Sequence, residues 1–123
     1  MLGNQAETVA GGTAAAAGVV ASGATAVIAH NDLVALGIVA GARTLGVHTP
    51  KDLSVVGFDD IPLAEVTHPA LTSIAAPMDR AGAVSLELLG RAVAGARQLP
   101  RTLHLPTQLV VRGTTGPVRE ENA

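Results

Sequence analysis

Residues 54–60, SVVGFDD, decide how this chain folds, because residues 25–32, TAVIAHND, repeat their form. In both, a short apolar run rich in β-branched residues ends in two polar side chains that open the next segment. A continuous apolar run of this kind reads as a strand buried on both faces. The polar pair supplies what a helix start needs, an Asn or Asp oxygen that accepts from free backbone N–H groups. Strand, polar pair, helix, stated twice, is the pattern of parallel strands joined by crossover helices.

Working outward, Glu7 to Ala21 is an Ala-rich helix that stops at Ser22-Gly23. Thr25 to His30 is the first strand, and Asn31-Asp32 caps a helix reaching about Leu45 before Gly46. Pro50-Lys51-Asp52 is a turn, and Ser54 to Phe58 is the second strand. Asp59 to Val66 reads as a cap with a short helical turn, and Leu71 to Ala75 as the third strand. From Asp79 to Arg97 the apolar and small residues Ala81, Ser85, Leu88, Leu89, Ala92 and Ala96 form a helical stripe. Arg80, Glu87 and Arg91 lie off that stripe, and Gly95 and Pro100 end the helix. Thr107 to Arg112 (TQLVVR) is the last strand. The expected architecture is α/β, a parallel sheet with helices on both faces over residues 1–112. Residues 113–123 are expected to form a polar, flexible tail.

The composition narrows the function classes. A chain of 123 residues is the size of one domain, and 48% hydrophobic against 15% charged residues excludes a disordered body. Phe58 is the single aromatic residue, expected in a core otherwise built from small aliphatic groups. Eight Lys and Arg against ten Asp and Glu give a net charge of −2. There is no basic stripe to displace counterions from phosphates, so this chain by itself is not expected to bind nucleic acid. The lack of cysteine excludes disulfides, thiolate zinc sites and cysteine nucleophiles. Ala14 to Ala29 is apolar but carries Gly18, Ser22, Gly23 and Thr25, short of the ~20 strongly apolar residues of a membrane span. Met1 is followed by polar Asn4, Gln5 and Glu7 and not by a basic region, so no secretion signal and a cytoplasmic location are expected.

Catalytic and metal chemistry find little support. His30, His48, His68 and His104 show no metal-ligand spacing, and neither a nucleophile elbow nor a phosphate-binding glycine loop occurs. No metal, no cofactor and no enzymatic activity are expected. Gly37-x-x-x-Gly41 lies on a helix and suits close packing against the sheet or a partner. In an open parallel sheet, ligands bind at the carboxyl ends of the strands, and here those ends carry Asn31, Asp32, Asp59 and Asp60. A carboxylate accepts from two neighbouring hydroxyls, while an amide both donates and accepts. Asn31 and Asp59 therefore suit a polyhydroxylated or nucleoside-like ligand. Capping explains the same residues equally well, and a division of labour within each doublet satisfies both readings. The candidate ligand-binding residues are Asn31 and Asp59, with Asp32 and with His30 at the end of the neighbouring strand.

The combination of ND-x-x-A-x-G, P-x-D-x-S-V-V-G-F-D-D and P-x-L-T-S-I, closed by LPTQLVVRGTTGP, resembles the lactose-repressor (LacI/GalR) family of bacterial transcription regulators. The resemblance runs from about Thr25 to Pro117. It implies a periplasmic-binding-protein-like fold of two lobes around a cleft that holds an effector, usually a sugar or a nucleobase-type metabolite. By motif, Asn31 and Asp59 match effector-contacting positions of the C-terminal lobe. The family's helix-turn-helix headpiece, hinge helix and most of its first lobe have no counterpart in this sequence. Gly3-Asn4-Gln5 stands where the family often carries a Gly-Asp-aromatic stretch. The sequence thus resembles the partial, C-terminal lobe of the sensor, and DNA would be met only through a headpiece this sequence does not contain.

The resemblance also implies a homodimer formed through Leu33–Leu45 and Ile61–Leu71. The contacts expected there are Leu33, Leu36, Val39, Ala40, Ile61, Leu63 and Leu71. In that family the helix from Asp79 belongs to the other lobe, so its stripe through Leu88, Leu89 and Ala92 is expected to lack cover and to favour an intertwined association. Two other readings remain open at this point: a fragment of a transport system's sugar-binding protein, and an oligomerising remnant without ligand.

Overall fold

A computed structural model describes residues 5–96, 100 and 102–118. Its elements are α1 (Val9–Ala21), β1 (Ala26–Ile28), α2 (Asp32–Thr44), β2 (Ser54–Phe58), α3 (Leu63–Val66), β3 (Thr72–Ala75), α4 (Met78–Val93) and β4 (Gln108–Val110). The strands form one sheet in the order β1-β2-β3-β4. β1 and β2 run parallel with Val27 opposite Val55, and β2 and β3 run parallel with Gly57 opposite Ser73. The parallel α/β expectation is met: β2 falls at the expected residues, and the other element ends among those described are displaced by at most four.

The chain divides into two compact units, one built from the residues up to Ala75 and from Leu109 onward, the other from Ala76 to Gln108. In the first, the core joins Val19, Ala29, Ala35, Ile38, Ala42, Leu53, Val55, Ala64 and Leu71. These side chains are small, so elements approach closely. A Cβ on Gly12 would strike the Val34 carbonyl, and one on Gly37 would strike the Val9 carbonyl. Gly41 meets Ala16 in the same way. The glycines of α2 therefore seat it on α1. Phe58 is half-buried and outside this core. Strand side chains alternate, and Val55 and Gly57 take the buried face, so Phe58 falls on the other.

The segment expected as a flexible tail is bonded into the fold where it is described. The Gly113 N–H donates to the Ala70 carbonyl at 2.8 Å, and Thr114 is fully buried. The Thr114 hydroxyl accepts from the Thr72 N–H at 2.8 Å and donates to the Val55 carbonyl at 2.7 Å, while its own carbonyl accepts from the Val55 N–H at 2.8 Å. It fills the gap between the amino ends of β2 and β3. Sequence pattern hid this because the segment is polar, and its polar groups satisfy strand backbone rather than water. Residues 119–123 lie outside the described ones.

Within the second unit, α4 ends at Val93, where Ala94 caps it and Gly95 takes φ +81°, short of the expected Arg97, which lies outside the described residues. Its half-buried stripe is Ala81, Val84 and Leu88. Leu86, Leu89 and Val93 are exposed. Among the described residues no helix is long and apolar enough to cross a membrane.

Candidate functional site

Because β1 and β2 are parallel neighbours, the residues that follow them meet at one edge of the sheet. Asn31 and Asp32 follow β1, and Asp59 and Asp60 follow β2. Asn31 is the N-cap of α2: its Oδ1 accepts from the Val34 N–H at 2.9 Å. One amide oxygen is thereby spent on the helix, and the Nδ2 group keeps its two donors for other partners.

Asp32 departs from the expected role. It is 1% exposed, its Oδ1 accepts from the Ser73 hydroxyl at 2.6 Å, and its Oδ2 accepts from the Ile61 N–H at 2.8 Å. Both oxygens are engaged inside the protein, so Asp32 is a strut and not a ligand contact. A Cβ on Gly57 would collide with Asp32 Oδ1, which explains why the second strand carries glycine where a β-branched residue would otherwise serve.

The strut holds an unusual turn. Asp59 and Asp60 both occupy the left-handed region, at φ +98° and +54°. Residues other than glycine take such angles at a cost of about 1–3 kcal/mol each, and only where the surroundings over-determine them. Here the Asp59 N–H donates to the Ile74 carbonyl at 3.0 Å, the Asp60 N–H to the Ser73 hydroxyl at 3.1 Å, and the Ile61 N–H to Asp32. The Asp60 carboxylate is taken by Arg112 Nη1 at 2.6 Å. The Asp59 side chain is exposed, and no donor meets its carboxylate among the described residues. α3 begins at Leu63 with no side-chain cap, so neither aspartate is spent on a helix.

His30 is exposed at the end of β1, with Nε2 3.3 Å from Glu7 Oε1. Glu7 lies just before the Thr8 cap of α1 and joins the edge without having been foreseen as part of it. Ser73 and Arg112 were also missed. Gly57 inside an apolar strand was the available signal for Ser73 and Asp32, since a missing side chain marks something lying over the strand. Among the described residues, no group of three or more His, Asp or Glu is placed to hold a metal ion.

A second surface lies on α2 and α3. A groove of about 470 Å³ is lined mainly by Val9, Leu36, Val39, Ala40, Leu63 and Pro69, with Arg43, His48 and His68 among its polar members. Of the expected interface residues, Leu33 and Leu63 are exposed, and Leu36, Val39 and Ile61 are half-buried. Leu71 is fully buried in this chain's own core and presents nothing to a partner.

Residues 2–115 match the family described as periplasmic binding protein-like domain. The chain belongs to that family. Within it, the similarity is to LacI-family regulators. The transcriptional regulator MalR of Streptomyces coelicolor is 40% identical over 108 residues, covering 88% of this chain and 31% of the relative. The ribose operon repressor of Halalkalibacterium halodurans is 40% identical over 98 residues, covering 79% of this chain and 30% of the repressor. Among solved structures, a LacI-family regulator from Enterococcus faecium with bound ribose superposes with a TM-score of 0.85 at 31% identity, covering 94% of this chain and 43% of that one. A CelR–cellobiose complex gives 0.83 at 33% identity, covering 89% and 34%. The chain thus spans about a third of the length of the curated relatives it matches. The kinship is to regulators and repressors, not to enzymes.

Proposed function

We propose that this chain is the effector-sensing and dimerising part of a LacI-type transcriptional regulator, acting in the cytoplasm. The observation that carries the reading is Asp59: a carboxylate held out on a left-handed turn, without a donor among the described residues, beside Asn31 on the neighbouring strand end. Backbone strain of this kind collects at ligand clamps, where the protein stabilises one aim of one side chain. Asp59 would accept from sugar hydroxyls and Asn31 would donate to them, with His30 and Glu7 at the rim. The ribose and cellobiose held by two structural neighbours point to the same ligand class. In an intact regulator, an effector that contacts one closure state better than the other would shift DNA affinity by that difference.

Titration of the chain with D-ribose, cellobiose and lactose, read by calorimetry, tests this. Saturable heat that vanishes in Asp59→Asn supports it. Saturable heat that persists in that variant removes Asp59 from the site, and no heat from the native chain sinks the effector reading.

The dimerising half of the proposal rests on the apolar groove over α2 and α3, which a second copy would cover with the exposed Leu33 and Leu63 and the half-buried Leu36 and Val39. Exposed apolar surface of this kind is commonly buried by association. Light scattering at low micromolar concentration should give the mass of two chains or more. The mass of one chain would refute the dimer.

A further inference from the structure

We propose that Arg112 is a positioning residue of the ligand edge, which locks the left-handed Asp59–Asp60 turn and so fixes where the Asp59 carboxylate is offered. Its ligand-facing consequence rests on the effector reading above, but its hold on the turn does not. Arg112 follows β4, 52 residues from Asp60 in sequence, and its side chain is 14% exposed. The guanidinium is forked: Nη1 donates to Asp60 Oδ1 at 2.6 Å and to the Leu71 carbonyl at 2.9 Å, and Nη2 lies 4.0 Å from Glu65 Oε1. Its backbone is tied as well, since the Arg112 N–H donates to the Thr72 hydroxyl at 2.9 Å. The fork is therefore anchored to β3 before it reaches the turn.

Asp60 is gripped at both ends, its N–H by Ser73 and its carboxylate by Arg112, while Asp32 grips the next N–H. The three grips act on the residues immediately after Asp59, and Asp59 has its own N–H bonded to Ile74. Without the guanidinium, the strained turn loses one of its constraints and the Asp60 carboxylate, next to that of Asp59, loses its cation. With it, the Asp59 carboxylate is the one at these two strand ends left without a partner among the described residues, which suits a neutral polyol. A lysine would supply one charge on a flexible stem, without the planar guanidinium that sets Nη1 against Asp60 and Leu71 while Nη2 lies toward Glu65.

The test compares the native chain with Arg112→Gln, Arg112→Lys, Asp60→Asn and the Arg112→Gln/Asp60→Asn double variant. Amide hydrogen exchange is followed at position 60 and at Ile61, against the amides of β1 and α2. Arg112→Gln should speed exchange at the turn at least tenfold beyond any change in β1 and α2. The double variant should add little to either single one, and Arg112→Lys should fall between. Unchanged exchange, or a uniform rise that merely follows global stability, overturns the proposal. If Arg112→Gln does not fold, Asp60→Asn, which leaves the bond to Leu71 in place, supplies the same readout. D-Ribose, cellobiose and lactose are then titrated into each folded variant. A tenfold or greater loss of affinity in Arg112→Gln, partly restored in Arg112→Lys, supports positioning, and unchanged affinity for a sugar that binds the native chain overturns it. Should the native chain bind none of these sugars, the effector reading falls, and the exchange data alone decide whether Arg112 holds the turn.

Discussion

The two polar doublets occupy equivalent places, each directly after one of two neighbouring parallel strands, yet they do opposite work. After β1 the helix begins at once: Asn31 caps it from an extended backbone at φ −149°, and Asp32 turns inward to bond Ser73 and Ile61. After β2 the chain makes two left-handed residues before α3, so Asp59 faces outward without a donor among the described residues and Asp60 is drawn to Arg112. The first doublet is mostly structural, and the second presents chemistry. Sequence pattern alone does not separate them, because backbone dihedral angles and not residue types decide which way each carboxylate points. The first doublet also supports the second, since the Asp32 strut ends on the Asp59–Ile61 turn.

The comparison breaks most readily at Asp32. Removing its carboxylate leaves the buried Ser73 hydroxyl and the half-buried Ile61 N–H without an acceptor, each costing about 1–3 kcal/mol. Asp32→Ala should therefore lose about 3–5 kcal/mol in urea unfolding, a large part of an ordinary domain's stability. Asp59→Asn, which keeps the side-chain shape and a residue that tolerates positive φ, should stay within about 0.5 kcal/mol of the native chain. Equal losses from the two would erase the distinction between strut and presented carboxylate.

A smaller effect sharpens the role of Asn31, which serves the helix whatever else it contacts. Asn31→Ala should cost about 1 kcal/mol through loss of the cap to Val34, and Asn31→Ser should recover most of it. If the amide also meets a sugar, Asn31→Ser will keep stability and lose affinity. If the serine variant binds as tightly as the native chain, Asn31 is a cap and nothing more.

Much of this was legible in advance. TAVIAHND and SVVGFDD carried the parallel α/β reading, and β2 lies at the expected residues. The edge of the sheet holding Asn31 and Asp59 followed from that topology. What could not be read were contacts between distant segments: Arg112 with Asp60, Thr114 with Val55 and Thr72, and Ser73 with Asp32. Each joins residues 41 or more apart through polar groups, which leave no periodic trace. Asp32 and Asp59 are the same residue type after similar strands. Only the burial of one and the positive φ of the other divide them.

The left-handed turn gives a prediction of opposite sign. Glycine takes positive φ without the Cβ penalty, although it gains freedom in the unfolded chain. Asp59→Gly should stabilise the protein by up to about 1 kcal/mol, because at φ +98° the relief of strain outweighs the added entropy. The same variant should lose sugar affinity. Greater stability with lost binding would mark Asp59 as a residue whose strain serves presentation, whereas clear destabilisation would mean that its side chain supports the fold.

The smallest effect belongs to the His30–Glu7 pair beside the first doublet. Its atoms are 3.3 Å apart, but the side chains are 67% and 69% exposed, so water and salt screen most of the attraction. His30→Gln should change stability by no more than about 0.5 kcal/mol, and added salt should reduce even that difference. The small cost is what makes the pair useful as a probe of the edge. Neither side chain is needed by the core, so a change in sugar affinity in His30→Gln cannot be a side effect of unfolding. An affinity loss at unchanged stability would extend the ligand edge from Asp59 across Asn31 to the end of β1. Unchanged affinity would confine the site to the turn after β2. A stability loss well above this estimate would show that the first doublet's neighbourhood is structural throughout, and that the contrast between the two strand ends is sharper than the proposed site requires.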